Sequence, residues 1–324
     1  MNNKKGYDRK FQNPTTLLIV QVIKQYLPDL YDEVERTKER NNKYIRGIIS
    51  ARTGLTLSSK KHRLPNQETI EIEKVKIEIS DDLPEKLLAI LDSIPEILLT
   101  YILHFNKMEK TINELKFQEK NSNDINFLID NHYSSNGLNE SIGYLENLIL
   151  KIQEQNIIER LFKSSPNIIG EYIHEENKIN IYWIGIGIIN QITNLRVDEL
   201  TLITMLHELL HAYTIQGFDI DGNQWDKHIL QNINLQITEG FAQIYSDLII
   251  QENFSYLHKT FISLSKRLQP HYKEYKSWLD LNDRNIYEKV RELLLKTRNS
   301  RITSYAQFEK LLKSIEKNSK DIVR

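Results

Sequence analysis

The sequence predicts a predominantly helical α+β protein, and three observations predict it. Downstream of Val197, apolar residues keep a helical period over 198–216, 233–250, 253–268, 284–297 and 303–317. Two short stretches, Ile168–Ile173 and Ile179–Ile184, read as strands on either side of the turn His174–Lys178. A third, Thr69–Ser80 (TIEIEKVKIEIS), alternates apolar and charged residues as a strand open on one face does.

The remaining elements follow in chain order. Asn13-Pro14 reads as an N-cap followed by proline in the first helical turn, opening a helix through Leu27, and Pro28 restarts or kinks it. Asp32–Lys43 mixes charges of both signs, as the solvated face of a helix does. Within Thr69–Ser80 the apolar set slips from Ile70/Ile72 to Val75/Ile77/Ile79, which predicts a bulge. Ser93-x-x-Glu96 has the capping-box pattern and predicts one long helix through Lys120. The following stretch is rich in Asn and Ser and reads as a linker or long loop. Helical spacing resumes over Glu140–Phe162. The expected organisation is a mostly helical region over 1–120, suited to substrate or partner recognition, then a linker at 121–139 and a catalytic domain over 140–324.

Composition narrows the chemistry. The chain has 324 residues, 40% of them hydrophobic, enough to bury substantial cores. Lys+Arg 43 against Asp+Glu 44 gives a formal charge of −1, without the basic surplus of a nucleic-acid binder. There is no cysteine, which excludes disulfide scaffolds, thiolate zinc ribbons, iron–sulfur clusters and cysteine nucleophiles. Any transition-metal site must therefore use His, Asp or Glu. The apolar stretch Leu17–Ile23 is too short and too interrupted for a secretory signal, and Ile181–Ile189 is too short to span a bilayer. The expectation is a cytoplasmic protein without a membrane span, although a specialised secretion route is compatible with it.

One motif carries chemistry: His207-Glu208-Leu209-Leu210-His211, an H-E-x-x-H. Residues four apart share a helix face, so both imidazoles can reach one ion. Glu208 lies beside them, placed to contact a metal-bound water as general base. The frame reads as helical: Leu200, Ile203 and Leu210 supply an apolar stripe, and Asp198 and Glu199 put acids at its N-terminus. With 9 histidines the motif arises by chance in roughly 0.03 chains of this length, so the signal is specific. A site of two histidines needs a third protein ligand. Thr214 and Gly217 stand where the metzincin continuation requires Gly and His, which excludes that class. Glu239, in Ile237-Thr-Glu-Gly-Phe-Ala242, is the best candidate, being a carboxylate in an apolar helical setting 28 residues past His211. His228 is the alternative.

From about Ile168 to Leu248 the chain resembles the gluzincin zinc peptidases, which carry H-E-x-x-H on one helix and a zinc-binding Glu on a following one. The resemblance implies a zincin-like core of a small β-sheet, an active-site helix and a glutamate helix. It implies one Zn²⁺ held by His207, His211 and Glu239, with Glu208 as general base. It also implies that the strand before the active-site helix, here Ile179–Ile184, pairs with extended substrate. Tyr213 and the TEGFA stretch are similar to aminopeptidase N-like enzymes, but no G-x-M-E-N segment is present, so endopeptidase activity is expected. Glu239-x-x-Ala242 is also similar to metallopeptidases that act on repressors.

The supporting residues stay open. Tyr245, Tyr256, His271, Tyr272 and Tyr275 are candidates to stabilise an oxyanion, and Gln243 and Asp247 to accept from a ligand imidazole. Asp219, Asp221, Asn223 and Asp226 offer oxygens to a cation, but their spacing departs from the EF-hand frame, which favours a solvated turn. The reading is thus a zinc peptidase acting on peptide or protein substrates. Its alternatives are a repressor-cleaving regulatory peptidase, an effector or toxin protease, and a zinc-binding interaction module without activity.

Overall fold

The computed structural model describes residues 13–57, 62–63, 69–70, 75–122, 135–154, 156–164, 168–267 and 274–322. Helices α1 (Pro14–Tyr26) and α2 (Leu30–Thr53) precede a two-residue ribbon, β1 (His62–Arg63) and β2 (Thr69–Ile70), and strand β3 (Lys76–Ser80). Helices α3 (Glu85–Asp92), α4 (Glu96–Leu103), α5 (Phe105–Ser122), α6 (Ser135–Glu154) and α7 (Ile157–Ser164) follow. Strands β4 (Gly170–Ile173) and β5 (Lys178–Tyr182) then lead into α8 (Trp183–Thr193) and α9 (Val197–Gln216). The chain continues through α10 (Lys227–Leu230), α11 (Leu235–Asn253), α12 (His258–Arg267), α13 (Ile286–Asn299) and α14 (Tyr305–Ile322). The protein is predominantly helical with one small three-stranded sheet, as expected. No helix among the described residues is long and apolar enough to cross a membrane.

The chain forms two compact units that interleave in sequence. One comprises residues 1–32, 81–168 and 183–197; the other comprises 33–80, 169–182 and 198–324. Among the described residues the first holds helices and no strand. Asn13 caps α1 by accepting from the Thr16 N–H at 3.0 Å, with Pro14 opening the helix as its fixed φ favours. The capping box expected at Ser93 does not form. Ser93 instead closes α3, its Oγ donating to the Ile90 carbonyl at 2.6 Å, and α4 begins only after Pro95. The residue before a proline is pushed out of the helical region, so Ile94 cannot serve as a first helical turn. The expected continuous helix also breaks at His104, whose Nδ1 bonds the Thr100 carbonyl at 2.6 Å and whose Nε2 bonds Tyr26 Oη at 2.7 Å. The proposed bulge near residues 71–74 and most of the proposed linker at 121–139 lie outside the described residues.

The second strand was expected to run to Ile184, but β5 ends at Tyr182 and Trp183 opens α8. Every residue from Trp183 to Ile189 is buried, so this stretch is apolar on every side and carries no period to separate helix from strand. Gly187 permits close packing there: a methyl group on it would stand 2.7 Å from Leu30 Cδ2 and 2.8 Å from Ile23 Cδ1. Asn194, with φ +57°, ends the helix in the left-handed conformation that asparagine tolerates.

The second unit holds the sheet, in the order β3-β5-β4. β5 is central, parallel to β3 and antiparallel to β4. With a partner on each side, β5 cannot accept an added strand, contrary to the expectation for Ile179–Ile184; the outer strands of this sheet are β3 and β4. The Tyr182 N–H donates to the Ile169 carbonyl at 3.0 Å, which sets the ladder phase. Glu171 and Ile173 turn their backbone groups to β5, whereas those of Gly170 and Tyr172 face outward.

Candidate metal centre

Helix α9 is buried around nearly its whole circumference; Leu200, Leu209 and Leu210 are completely inaccessible. Such a helix is held by packing on all sides rather than along one stripe. Its C-terminal end is fixed by Arg298 of α13. The guanidinium donates to the carbonyls of Thr214 at 2.6 Å, Gly217 at 3.0 Å and Tyr213 at 3.4 Å. A cation there satisfies orphan carbonyls and complements the negative end of the helix dipole. Trp225, buried, adds its indole N–H to the Thr214 carbonyl at 2.9 Å.

Helix α11 starts at the N-cap Asn234, whose side chain accepts from the Gln236 N–H at 2.8 Å. It is buried almost without interruption from Ile237 to Ile250. Gly240 lies flat against Trp278, leaving no room for a side chain: a methyl group would stand 1.9 Å from the indole. This close approach carries Glu239 on the same turn of α11.

His207 and His211, one turn apart on α9, meet Glu239 of α11 in a group whose ligand atoms could hold a metal ion. The two Nε2 atoms are 3.1 Å apart, and Glu239 Oε2 stands 3.4 Å from that of His207 and 3.3 Å from that of His211. Yet Glu239 Oε2 makes no hydrogen bond and is inaccessible to solvent. The three atoms thus cluster within reach of a single ion. A tetrahedral ion with bonds of 2.0–2.1 Å sets its ligands about 3.3–3.4 Å apart, so the donor set fits a four-coordinate zinc both in chemistry and in spacing. Glu208 is buried beside this group without belonging to it.

The electrostatics match. Burial pushes the Glu239 carboxyl up, but the two imidazoles outweigh it and hold it well below the usual carboxylate range. Burial pulls His211 down, and the Glu239 carboxylate more than reverses this, to about 9. Glu208 is pushed up by burial, with His207 and His211 opposing.

The other sequence candidates separate. His228 is exposed on α10 and outside the ligand group. Asp219 spends its oxygens on the N–H groups of Asp221 and Asn223 and on the Asn223 amide, so this loop is a self-capped turn. Asp226 caps α10 through the His228 N–H. Asp247 accepts from Tyr275 and Gln251, each at 2.8 Å, and Gln243 is buried with its Oε1 unpartnered. Tyr256 is exposed, and the Tyr245 hydroxyl is buried without a partner. His271 and Tyr272 lie outside the described residues.

Sequence reasoning missed Gly170. A methyl group there would stand 2.3 Å from Thr204 Cγ2 and 3.4 Å from Glu208 Cγ, so β4 runs directly against α9 at the carboxylate of the motif. A glycine inside the predicted strand Ile168–Ile173 was the available signal, because it marks close backbone approach. Nothing in the sequence signals Arg298. No family model, curated protein or solved structure matches this chain.

Proposed function

We propose that the chain is a zinc-dependent peptidase of the gluzincin type, acting on internal peptide bonds. His207, His211 and Glu239 would hold one zinc ion, and Glu208 would serve as general base. One observation carries the reading: three ligand atoms, from half-buried His207 and buried His211 and Glu239, cluster within reach of one ion, while a second buried carboxylate, Glu208, stands beside them and does not join. A purely structural zinc site closes its fourth position with another protein ligand and has no use for such a base. A zinc ion at this position would supply Lewis acidity, polarising a scissile carbonyl and lowering the pKa of a water.

The remaining chemistry belongs to the chain. Burial raises Glu208 towards the working pH, which suits a carboxylate that takes a proton from the attacking water and returns it to the departing amine. The outward backbone groups of Gly170 and Tyr172 suit an extended peptide added to β4. Because Gly170 abuts Glu208, such a peptide would pass the base. The absence of cysteine and the near-neutral charge agree with a cytoplasmic place.

The test is incubation of zinc-loaded wild type and Glu208→Gln with a denatured proteome digest, reading new peptide termini by mass spectrometry. Cleavage by wild type alone supports the reading. Equal cleavage by Glu208→Gln, or none by the zinc-loaded wild type, overturns it.

A further inference from the structure

We infer that the β4 edge selects a basic side chain in the substrate, and that Glu171 is the residue that selects it. The inference rests on the peptidase reading above and names the substrate class of that site.

Glu171 lies between the two residues whose backbone groups face outward. Its own N–H and C=O are turned to Asn180 on β5. Its side chain shares the sheet face of Asn180 and Tyr182, and the Tyr182 hydroxyl donates to its Oε1. That bond fixes the carboxylate and leaves Oε2 free to accept. Among the described residues no cation pairs with Glu171. The nearby lysine, Lys178, is committed to Glu176 at 2.6 Å. A partly exposed carboxylate, held in place and without an ion pair of its own although the Lys178 charge reaches it, therefore stands one residue from the glycine that touches the base.

The pairing geometry of a sheet turns this into selectivity. A residue added opposite Glu171 places its side chain on the same face, with Cβ atoms roughly 4.5–5.5 Å apart. Lysine or arginine there reaches Glu171 Oε2, whereas aspartate or glutamate meets a like charge. The basic residue is thus held at a fixed offset from the scissile bond, because Gly170 fixes where β4 meets Glu208.

The experiment uses the zinc-loaded full chain and peptide libraries with acetylated and with free amino termini. Wild type, Glu171→Gln and Glu171→Lys are compared, with zinc content and thermal melting as folding controls. The expected result for wild type is a preference for Lys or Arg at one fixed position in the acetylated library. It should be about 3- to 5-fold over neutral residues, the upper range of a cross-strand charge pair. The preference should vanish in Glu171→Gln and turn towards acidic residues in Glu171→Lys. Should either variant misfold, Tyr182→Phe frees the carboxylate and should weaken the same preference. Cleavage without a basic preference, or a preference surviving in Glu171→Gln, overturns the selectivity and leaves the peptidase reading standing, whereas cleavage confined to free amino termini overturns both the selectivity and the internal-bond part of that reading. Absence of cleavage by zinc-loaded wild type in either library overturns that reading and this one with it.

Discussion

Gly170 and Glu208 touch across the interface between strand and helix: a methyl group on the glycine would stand 3.4 Å from Glu208 Cγ. The same methyl group would fall 2.3 Å from Thr204 Cγ2, one turn earlier on α9. The sheet edge and the proposed base are therefore set by a single contact, and several expectations follow from contacts of this kind.

Gly170→Ala should force β4 off α9. Overpacking a buried contact of this size costs about 1–3 kcal/mol, read as a lowered denaturant midpoint. Peptidase activity should fall further than stability does, because the strand and Glu208 move apart together. Zinc content should stay near that of wild type, since none of the three ligands is touched.

Gly240→Ala should behave differently. Its methyl group meets Trp278 at 1.9 Å, so α11 must shift on the turn that carries Glu239. Zinc affinity should fall about 10- to 100-fold, the range seen when support of a metal ligand is disturbed. Competition with a chromophoric chelator measures it; unchanged affinity would mean that α11 yields without moving the carboxylate.

Arg298→Met should remove three hydrogen bonds from carbonyls at the end of α9, where the Thr214 carbonyl keeps the Trp225 indole and the Tyr213 carbonyl keeps the Gly217 N–H. The loss is about 3 kcal/mol, because charge-assisted bonds are removed from buried acceptors. Arg298→Lys should recover only part, since an ammonium cannot span three carbonyls with the planar fork of a guanidinium. Chemical denaturation of the two variants checks the order.

Metal binding should depend on pH through His211. In the metal-free chain its pKa is raised from 6.5 to about 9 by the Glu239 carboxylate. The sign follows: the protonated pair stabilises the metal-free fold fully below pH 6.5, and that contribution is lost as pH rises through about 9. Zinc requires the neutral imidazole, so its affinity should rise across the same interval and binding should release a proton. Titration calorimetry in two buffers of different ionisation enthalpy reads that proton directly; a buffer-independent heat would contradict the assignment.

The parts of this picture legible in sequence are local. His207, Glu208 and His211 share one turn, so their spacing alone states their geometry. Glu239 was readable because a carboxylate among Ile237, Phe241 and Ile244 is out of place unless something binds it. What could not be read is set by contacts distant in sequence. Gly170 meets Thr204, Gly240 meets Trp278, and Arg298 reaches back to Tyr213, and none of these pairings leaves a pattern in either segment alone. Helix α8 failed for another reason, since burial on every side erases the periodicity that distinguishes helix from strand. The strand order failed for a third: that β5 is central and β4 the edge depends on β3, almost a hundred residues earlier in the chain.

The most direct test of the central claim is the metal content of purified protein by mass spectrometry, for wild type, His211→Ala, Glu239→Ala and Glu208→Gln. The account predicts about one zinc per chain in wild type and Glu208→Gln, and loss of it in the other two. Wild type without bound transition metal, or Glu239→Ala with its zinc intact, would contradict it.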